Sequence, residues 1–287
     1  MPNPIKSTVD IPIINNTLLP SQVPVDHCRL FSLAHPFIQQ PHQVRGFRFF
    51  EASLLRIKSG RLQAEDEQGS SVTLESRDRI MLIAQNTQVN VSKTPDAENG
   101  YFQSLYLSFS SDLIAAFYRE HAPMLAALSP LSRFKTLVLD EELQDTLDYC
   151  LRGLEGESPS TALQQHRLQG VLIALAERGI VFMPHTGETI STRLTTLLAS
   201  TPEFAWTAAD ASQQLAMSEA TLRRRLAEEQ TSFRELLQDV RMHHAMALLQ
   251  TTRWSLTQIA DACGYRASSR FSLRFKQRFG CSPADIR

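Results

Sequence analysis

Residues 255–287 read SLTQIADACGYRASSRFSLRFKQRFGCSPADIR. Ser255 stands as a helix N-cap before a short apolar-periodic run that ends at Gly264. A second helix of roughly ASSRFSLRFKQRF then carries Phe271 and Phe275 on one side. Two short helices joined by a tight turn, the second rich in arginine, form the unit that lays a helix in the major groove of DNA. A single such pair is weak evidence, because short helix pairs abound in all-helical folds.

Working backwards, the same pattern occurs again. Trp254-Ser255 repeats Trp206-Thr207 at a spacing of 48 residues, each time with a hydroxyl cap before a short helix. In the first copy TAADASQQLA reaches a turn at Ala216-Met217, and Ser218 caps a second helix, SEATLRRRLAEE. Between the copies, residues 232–250 form an uninterrupted helix-forming segment of about 28 Å at 1.5 Å per residue. Successive major-groove faces on one side of B-DNA lie about 34 Å apart, so such a rod suits one chain reading two turns. Its stripe of Phe233, Leu236, Leu237, Val240, Met246 and Leu249 would seat both units.

Helical geometry selects the residues that could meet DNA. Leu222 and Leu226 share a face and must be core, so Ala220 and Arg224 point away from it, flanked by Thr221 and Arg223. In the second unit Phe271 and Phe275 are core, while Ser269 and Leu273 face outward beside Arg270 and Ser272. Ser218 and Ser268 start the two reading helices, and Arg274 and Lys276 are suited to phosphate. Arg223 and Arg224 can pair bidentately with guanine or with phosphate, whereas serines make permissive contacts and Leu273 can only touch a thymine methyl. The first unit is therefore expected to carry more of the sequence discrimination.

Charge supports this division of labour. The chain has a net charge of -1, but from Ser218 to Arg287 there are 12 Lys and Arg against 7 Asp and Glu, a net of +5. The remainder is acidic. Cys28, Cys150, Cys263 and Cys281 are scattered singly, which indicates neither a disulfide framework nor a paired-cysteine zinc site. Adjacent His243 and His244 cannot face the same way on a helix, so no metal or other cofactor is expected. No apolar run reaches the roughly 18 to 20 residues of a membrane helix, and MPNPIKSTVD lacks the features of a secretory signal, so a cytoplasmic protein without membrane contact is expected.

The first half reads differently. From about Phe47 to Phe109, short apolar or alternating runs are broken at Gly60, Gln68-Gly69 and Asn99-Gly100, the pattern of an antiparallel meander. Beyond Ser110 the period becomes helical, with caps at Ser111 or Asp112 and leucine stripes at Leu143, Leu147 and Leu151 and at Leu168, Leu172 and Leu175. Those stripes either pack on the strand domain or dimerise with a second copy. The segment MPHTGET, residues 183–189, reads as a linker.

The last hundred residues resemble the DNA-binding domain of the AraC/XylS family of transcription regulators. Ile259, Ala260, Gly264, Tyr265, Phe271, Phe275, Lys276, Phe279, Gly280, Pro283 and Arg287 fall where that family's second-unit signature has them. Ser218, Leu222, Arg224 and Ser232-Phe233 agree in the first unit, and Arg241, Ala245, Leu248 and Leu249 in the linking helix. Three positions depart: Ala216 and Gln230 stand where the family has Gly, and Leu273 replaces an outward Arg.

The resemblance implies an α+β chain. Its N-terminal cupin-like β-barrel (residues 1–182, strands about 25–110, dimerisation helices about 111–180) is followed by the linker and an all-α domain (190–287) of two helix-turn-helix units joined by a long helix. It implies a non-enzymatic, sequence-specific regulator, an activator like most of the family. Its implied partners are promoter DNA, RNA polymerase, a second copy, and a small-molecule effector or inhibitory protein at the N-terminal domain. Arg45, Arg48, Lys58 and Arg61 are candidate partners for an effector carboxylate, against the alternative of a solvated surface. Metal cupin enzymes need a His-x-His, and no histidine occurs between Gly46 and Glu120. The competing function is a cupin-type binding protein or enzyme with a structural helical appendage.

Overall fold

The computed structural model describes residues 27–28, 30–75, 77–155, 160–183 and 189–286. Its N-terminal half holds ten strands in succession. These are β1 (His27–Cys28), β2 (Phe31–Ala34), β3 (Phe37–Ile38), β4 (His42–Phe49), β5 (Ala52–Ser59), β6 (Arg61–Glu65), β7 (Ser71–Leu74), β8 (Arg79–Ile83), β9 (Thr87–Thr94) and β10 (Phe102–Phe109). Helix α1 (Ser111–Leu125), strand β11 (Phe134–Val138), α2 (Glu141–Leu154) and α3 (Thr161–Glu177) follow.

One sheet runs β1-β2-β10-β5-β8-β11, with β3 also on β10, and a second runs β4-β9-β6-β7. The expected barrel is therefore two facing antiparallel sheets that do not close on each other. Alternation explains the layering. In β5, β8 and β10, Leu54, Leu82 and Leu107 turn toward the helices, while Leu55, Ile57, Met81 and Ile83 turn toward the second sheet. Strands covered on both faces lose the polar-apolar alternation, as the continuously buried residues 80–83 show. The glycines at the hairpins do adopt left-handed conformations, with φ of 82° at Gly60, 80° at Gly69 and 73° at Gly100.

The helices that follow give a correction. Leu143, Leu147, Leu168, Leu172 and Leu175 are buried in the core shared with the seven-stranded sheet, and Leu151 packs against it. Both leucine stripes thus serve the chain's own fold and are not available as a dimer face. Strand β11 lay within a region read as helical, and it extends the sheet by pairing with β8.

Residues 184–188 of the expected linker, and Arg287 of the family signature, lie outside the described residues. The C-terminal half is all helix: α4 (Ile190–Ser200), α5 (Ala208–Gln214), α6 (Glu219–Glu228), α7 (Phe233–Thr251), α8 (Leu256–Ala262) and α9 (Ser268–Phe279), closed by a 3-10 turn at Pro283–Ile286. The repeat is local chemistry made visible. Thr207 with Asp210, and Ser255 with Gln258, form reciprocal capping boxes at the starts of α5 and α8. Trp206 and Trp254, each just before its cap, are buried in separate cores. The 19-residue α7 joins those cores, giving Leu236 and Val240 to the first and Met242, Ala245, Met246 and Leu249 to the second.

Ala216 and Gln230, the two departures from glycine, have φ of 54° and 56°. An L-residue in that region costs about 1 to 2 kcal/mol, partly offset because glycine has more freedom to lose on folding. Ala216→Gly and Gln230→Gly are each expected to stabilise the chain by about 0.5 to 1 kcal/mol, read as a higher urea midpoint. A fall in the midpoint would show that these side chains make stabilising contacts of their own.

The two halves meet along β4. A register shift between Val44 and Phe47 bulges this strand at Gly46, whose φ is 59°. Arg278 of α9 donates to the Gly46 carbonyl at 2.8 Å and to Asp239 of α7 at 2.5 Å. Val44 enters the second unit's core, and Phe47 lies against His243 and Phe279. His243 Nε2 accepts the Arg48 backbone N–H at 2.9 Å, so its proton sits on Nδ1 and points to the Asp239 carbonyl at 2.8 Å. Burial, and then nearby Arg278, lower the imidazole to about 4 and keep it neutral.

Candidate nucleic-acid interface

Helix α6 follows the turn at Ala216. Ser218 caps it by accepting the Thr221 N–H, and the two hydroxyls lie 2.9 Å apart. Leu222 and Leu226 are buried, while Ala220, Arg223 and Arg224 are exposed and Thr221 is half-buried beside them. In α9, Phe271, Phe275 and Phe279 are buried, Ser269, Arg270, Leu273 and Lys276 are exposed, and Ser268, Ser272 and Arg274 are half-buried. Each helix therefore presents the face that its periodicity defines.

Charge on these faces is held in local pairs. Arg223 meets Glu219 at 2.5 Å and Arg224 meets Glu228 at 2.7 Å, both one helical turn away. Exposed pairs of this kind contribute at most about 0.5 kcal/mol, so a phosphate or a guanine edge can take over either guanidinium at little cost. Arg274 donates to Gln277 at 3.0 Å. Arg278, the last arginine of α9, is committed to the Gly46 carbonyl of β4 and to Asp239 of α7.

Leu273 is 57% exposed. An apolar side chain this open on a reading helix leaves room for a charge. Leu273→Arg is expected to raise affinity for duplex DNA of any sequence and to steepen the dependence of log K on log salt by about 0.9. Unchanged binding would place the position off the DNA.

The four candidate effector-binding cations do not come together. Arg45 and Arg48 lie on β4 at the seam between the halves, Lys58 is exposed on β5, and Arg61 is paired with Glu75 at 2.7 Å. A fifth cation was missed. Lys93 of β9 is only 9% exposed and meets no carboxylate among the described residues. Its Nζ donates to Gln250 Oε1 of α7 at 2.7 Å and lies 5.4 Å from the Phe102 ring centroid. Burial lowers its ammonium to about 7. The signal was present in the strand itself, because Lys93 falls in phase with inward-facing Val89 and Val91.

A half-buried acidic group also escaped the sequence. Glu51 is hydrogen-bonded by the Ser108 hydroxyl, with Tyr106 and Ser53 adjacent. Burial raises the Glu51 carboxyl, and burial and then Glu51 push the Tyr106 phenol up to about 12. Among the described residues no three His, Cys, Asp or Glu side chains are grouped to hold a metal ion. No described helix is long and apolar enough to cross a membrane.

Two tandem helix-turn-helix units on a shared rod, each with its polar face outward, define a DNA-binding regulator. Residues 211–287 match the family model described as a helix-turn-helix domain. The chain is 24% identical over 262 residues to the urease operon transcriptional activator of Escherichia coli, covering 88% of each protein. It is 24% identical over 266 residues to the transcriptional regulator SirC of Salmonella typhimurium, covering 86% of this chain and 89% of SirC. Identity rises to 35% over 97 residues with the regulator YdeO of Escherichia coli, covering 34% of this chain and 38% of YdeO. ToxT from Vibrio cholerae has the same fold over 89% of this chain and 97% of its own, with a TM-score of 0.60 at 16% identity. The chain is a DNA-binding transcription regulator, similar to regulators of the AraC/XylS type.

Proposed function

We propose that this regulator activates transcription by binding promoter DNA with α6 and α9, without catalysing a reaction, under the control of a small molecule bound by its N-terminal half. The single observation carrying the reading is the pair of outward polar faces held on one 19-residue helix. Ser218, Ala220, Thr221, Arg223 and Arg224 serve as the first unit's contacts. Ser268, Ser269, Arg270, Ser272, Leu273, Arg274 and Lys276 serve as the second's. In-vitro transcription from a mapped target promoter tests it: addition of the protein should raise RNA polymerase output, and no change or a fall would overturn activation.

The effector is an acid with an apolar tail, and Lys93 is the group that receives it. Related ToxT has been solved with an unsaturated fatty acid and with a naphthalenyl butenoic acid bound. In this chain Lys93 is a buried ammonium without a carboxylate partner, at the seam where a ligand would bear on α7. A buried charge lacking a counter-ion is costly, and a carboxylate beside it would restore the protonated form. Arg45, Lys58 and Arg61 have no part in this site. An unsaturated fatty acid is expected to raise the unfolding temperature of the wild type and to leave that of Lys93→Gln unmoved. Equal shifts in both proteins would exclude Lys93.

A second copy, which completes the partners of this reading, would pack on the outer faces of α2 and α3, where Tyr149 and Leu163 are exposed. The expected cytoplasmic location belongs to the same proposal.

A further inference from the structure

A cleft of about 380 Å³ opens between the two reading units and β4. Its walls carry three arginines from three separate segments: Arg48 of β4, Arg234 in the first turn of α7, and Arg274 midway along α9. None of them has an ion-pair partner among the described residues. Arg48 bonds only to Gln88 at 3.3 Å and has a buried Nε with no acceptor, and Arg274 bonds only to Gln277. Two carboxylates also line the cleft, but Asp239 is already neutralised by Arg278, and Glu235 accepts the Ser232 hydroxyl at 2.8 Å. A pocket that sets three guanidinium groups against the one unneutralised carboxylate of Glu235, and leaves a donor orphaned, is built for an anion.

Position identifies the anion. Gln230, on the cleft wall, follows the last turn of α6, while Arg274 belongs to α9, so the cleft lies between the two reading helices. A duplex that presents one major groove to α6 and the next to α9 must carry its backbone across this gap. We infer that the cleft receives a phosphate of the DNA backbone, and that Arg48, a residue of the N-terminal half, makes a direct DNA contact. The sensing half is then part of the DNA footprint, and a shift of β4 against α7 alters affinity at the phosphate itself. This rests on the reading that both helices engage one duplex.

The test uses the full chain on a mapped operator and on random duplex, with affinity measured as a function of potassium chloride for wild type, Arg48→Gln and Arg48→Lys. Arg48→Gln is expected to weaken both DNAs alike by about fivefold at 0.15 M salt and to make the log-log slope shallower by about 0.9. Arg48→Lys should restore the slope. The backbone N–H of residue 48, which holds His243, survives both substitutions, and matching unfolding temperatures would verify that the seam is intact. Weaker binding with the wild-type slope would overturn the inference, because Arg48 would then act through domain orientation, and so would unchanged binding. Wild type that binds duplex with no salt dependence would instead overturn the DNA-reading proposal itself.

Discussion

Gly264→Ala is expected to destabilise the chain by about 3 kcal/mol and to lower the midpoint of thermal unfolding by about 10 °C. Gly264 has φ of 73°, and a Cβ there would lie 2.6 Å from Arg241 Nη2. That guanidinium is not free to step aside. It donates to the carbonyls of Pro202 at 2.9 Å and Phe204 at 2.8 Å, and it lies 5.8 Å from the Tyr265 ring centroid. Arg241 thereby ties the loop before the first unit to the turn of the second, and methyl insertion at Gly264 breaks both ties. Ala216 occupies the same turn of the first unit at φ of 54°, yet it is tolerated because its side chain is exposed. In an Arg241→Ala background the clash is gone, so Gly264→Ala should cost only the backbone share of about 1 kcal/mol. An equal cost in both backgrounds would remove Arg241 from the explanation.

Arg224→Ala is expected to weaken operator binding by about 1 to 3 kcal/mol while changing affinity for random duplex far less. The asymmetry follows from geometry. Arg224 stands opposite buried Leu222 and Leu226 on α6, exposed and restrained only by the pair with Glu228. A guanidinium in the groove reads guanine, whereas one beside the backbone reads only charge. Titration of operator and random fragments at one salt concentration separates the two, and equal losses would assign Arg224 to phosphate alone.

The helix-turn-helix half was legible in the sequence because its signals are local. Caps at Thr207, Ser218 and Ser255, the spacing of Leu222 with Leu226, and that of Phe271 with Phe275 each act within a few residues. The glycine departures were visible too, and the left-handed φ at Ala216 and Gln230 explains what the missing glycines would have supplied. What stayed hidden depends on residues distant in sequence. Leucine stripes on α2 and α3 have the same period whether they meet a sheet or a second copy, and only the fold shows them buried in the chain's own core. β11 is a strand because β8 offers it an open edge, not because its own five residues dictate it. Arg48 and Arg234 are 186 residues apart, so nothing local announces their meeting in one cleft.

One chain is proposed to place α6 and α9 in successive major grooves at a separation fixed by α7. The most direct measurement is the affinity of the full chain for its mapped operator, compared with the same operator carrying five extra base pairs between the two contacted segments. Half a helical turn swings one segment to the far side of the duplex, so a loss of about a hundredfold or more is expected. Equal affinity for the two fragments would contradict it.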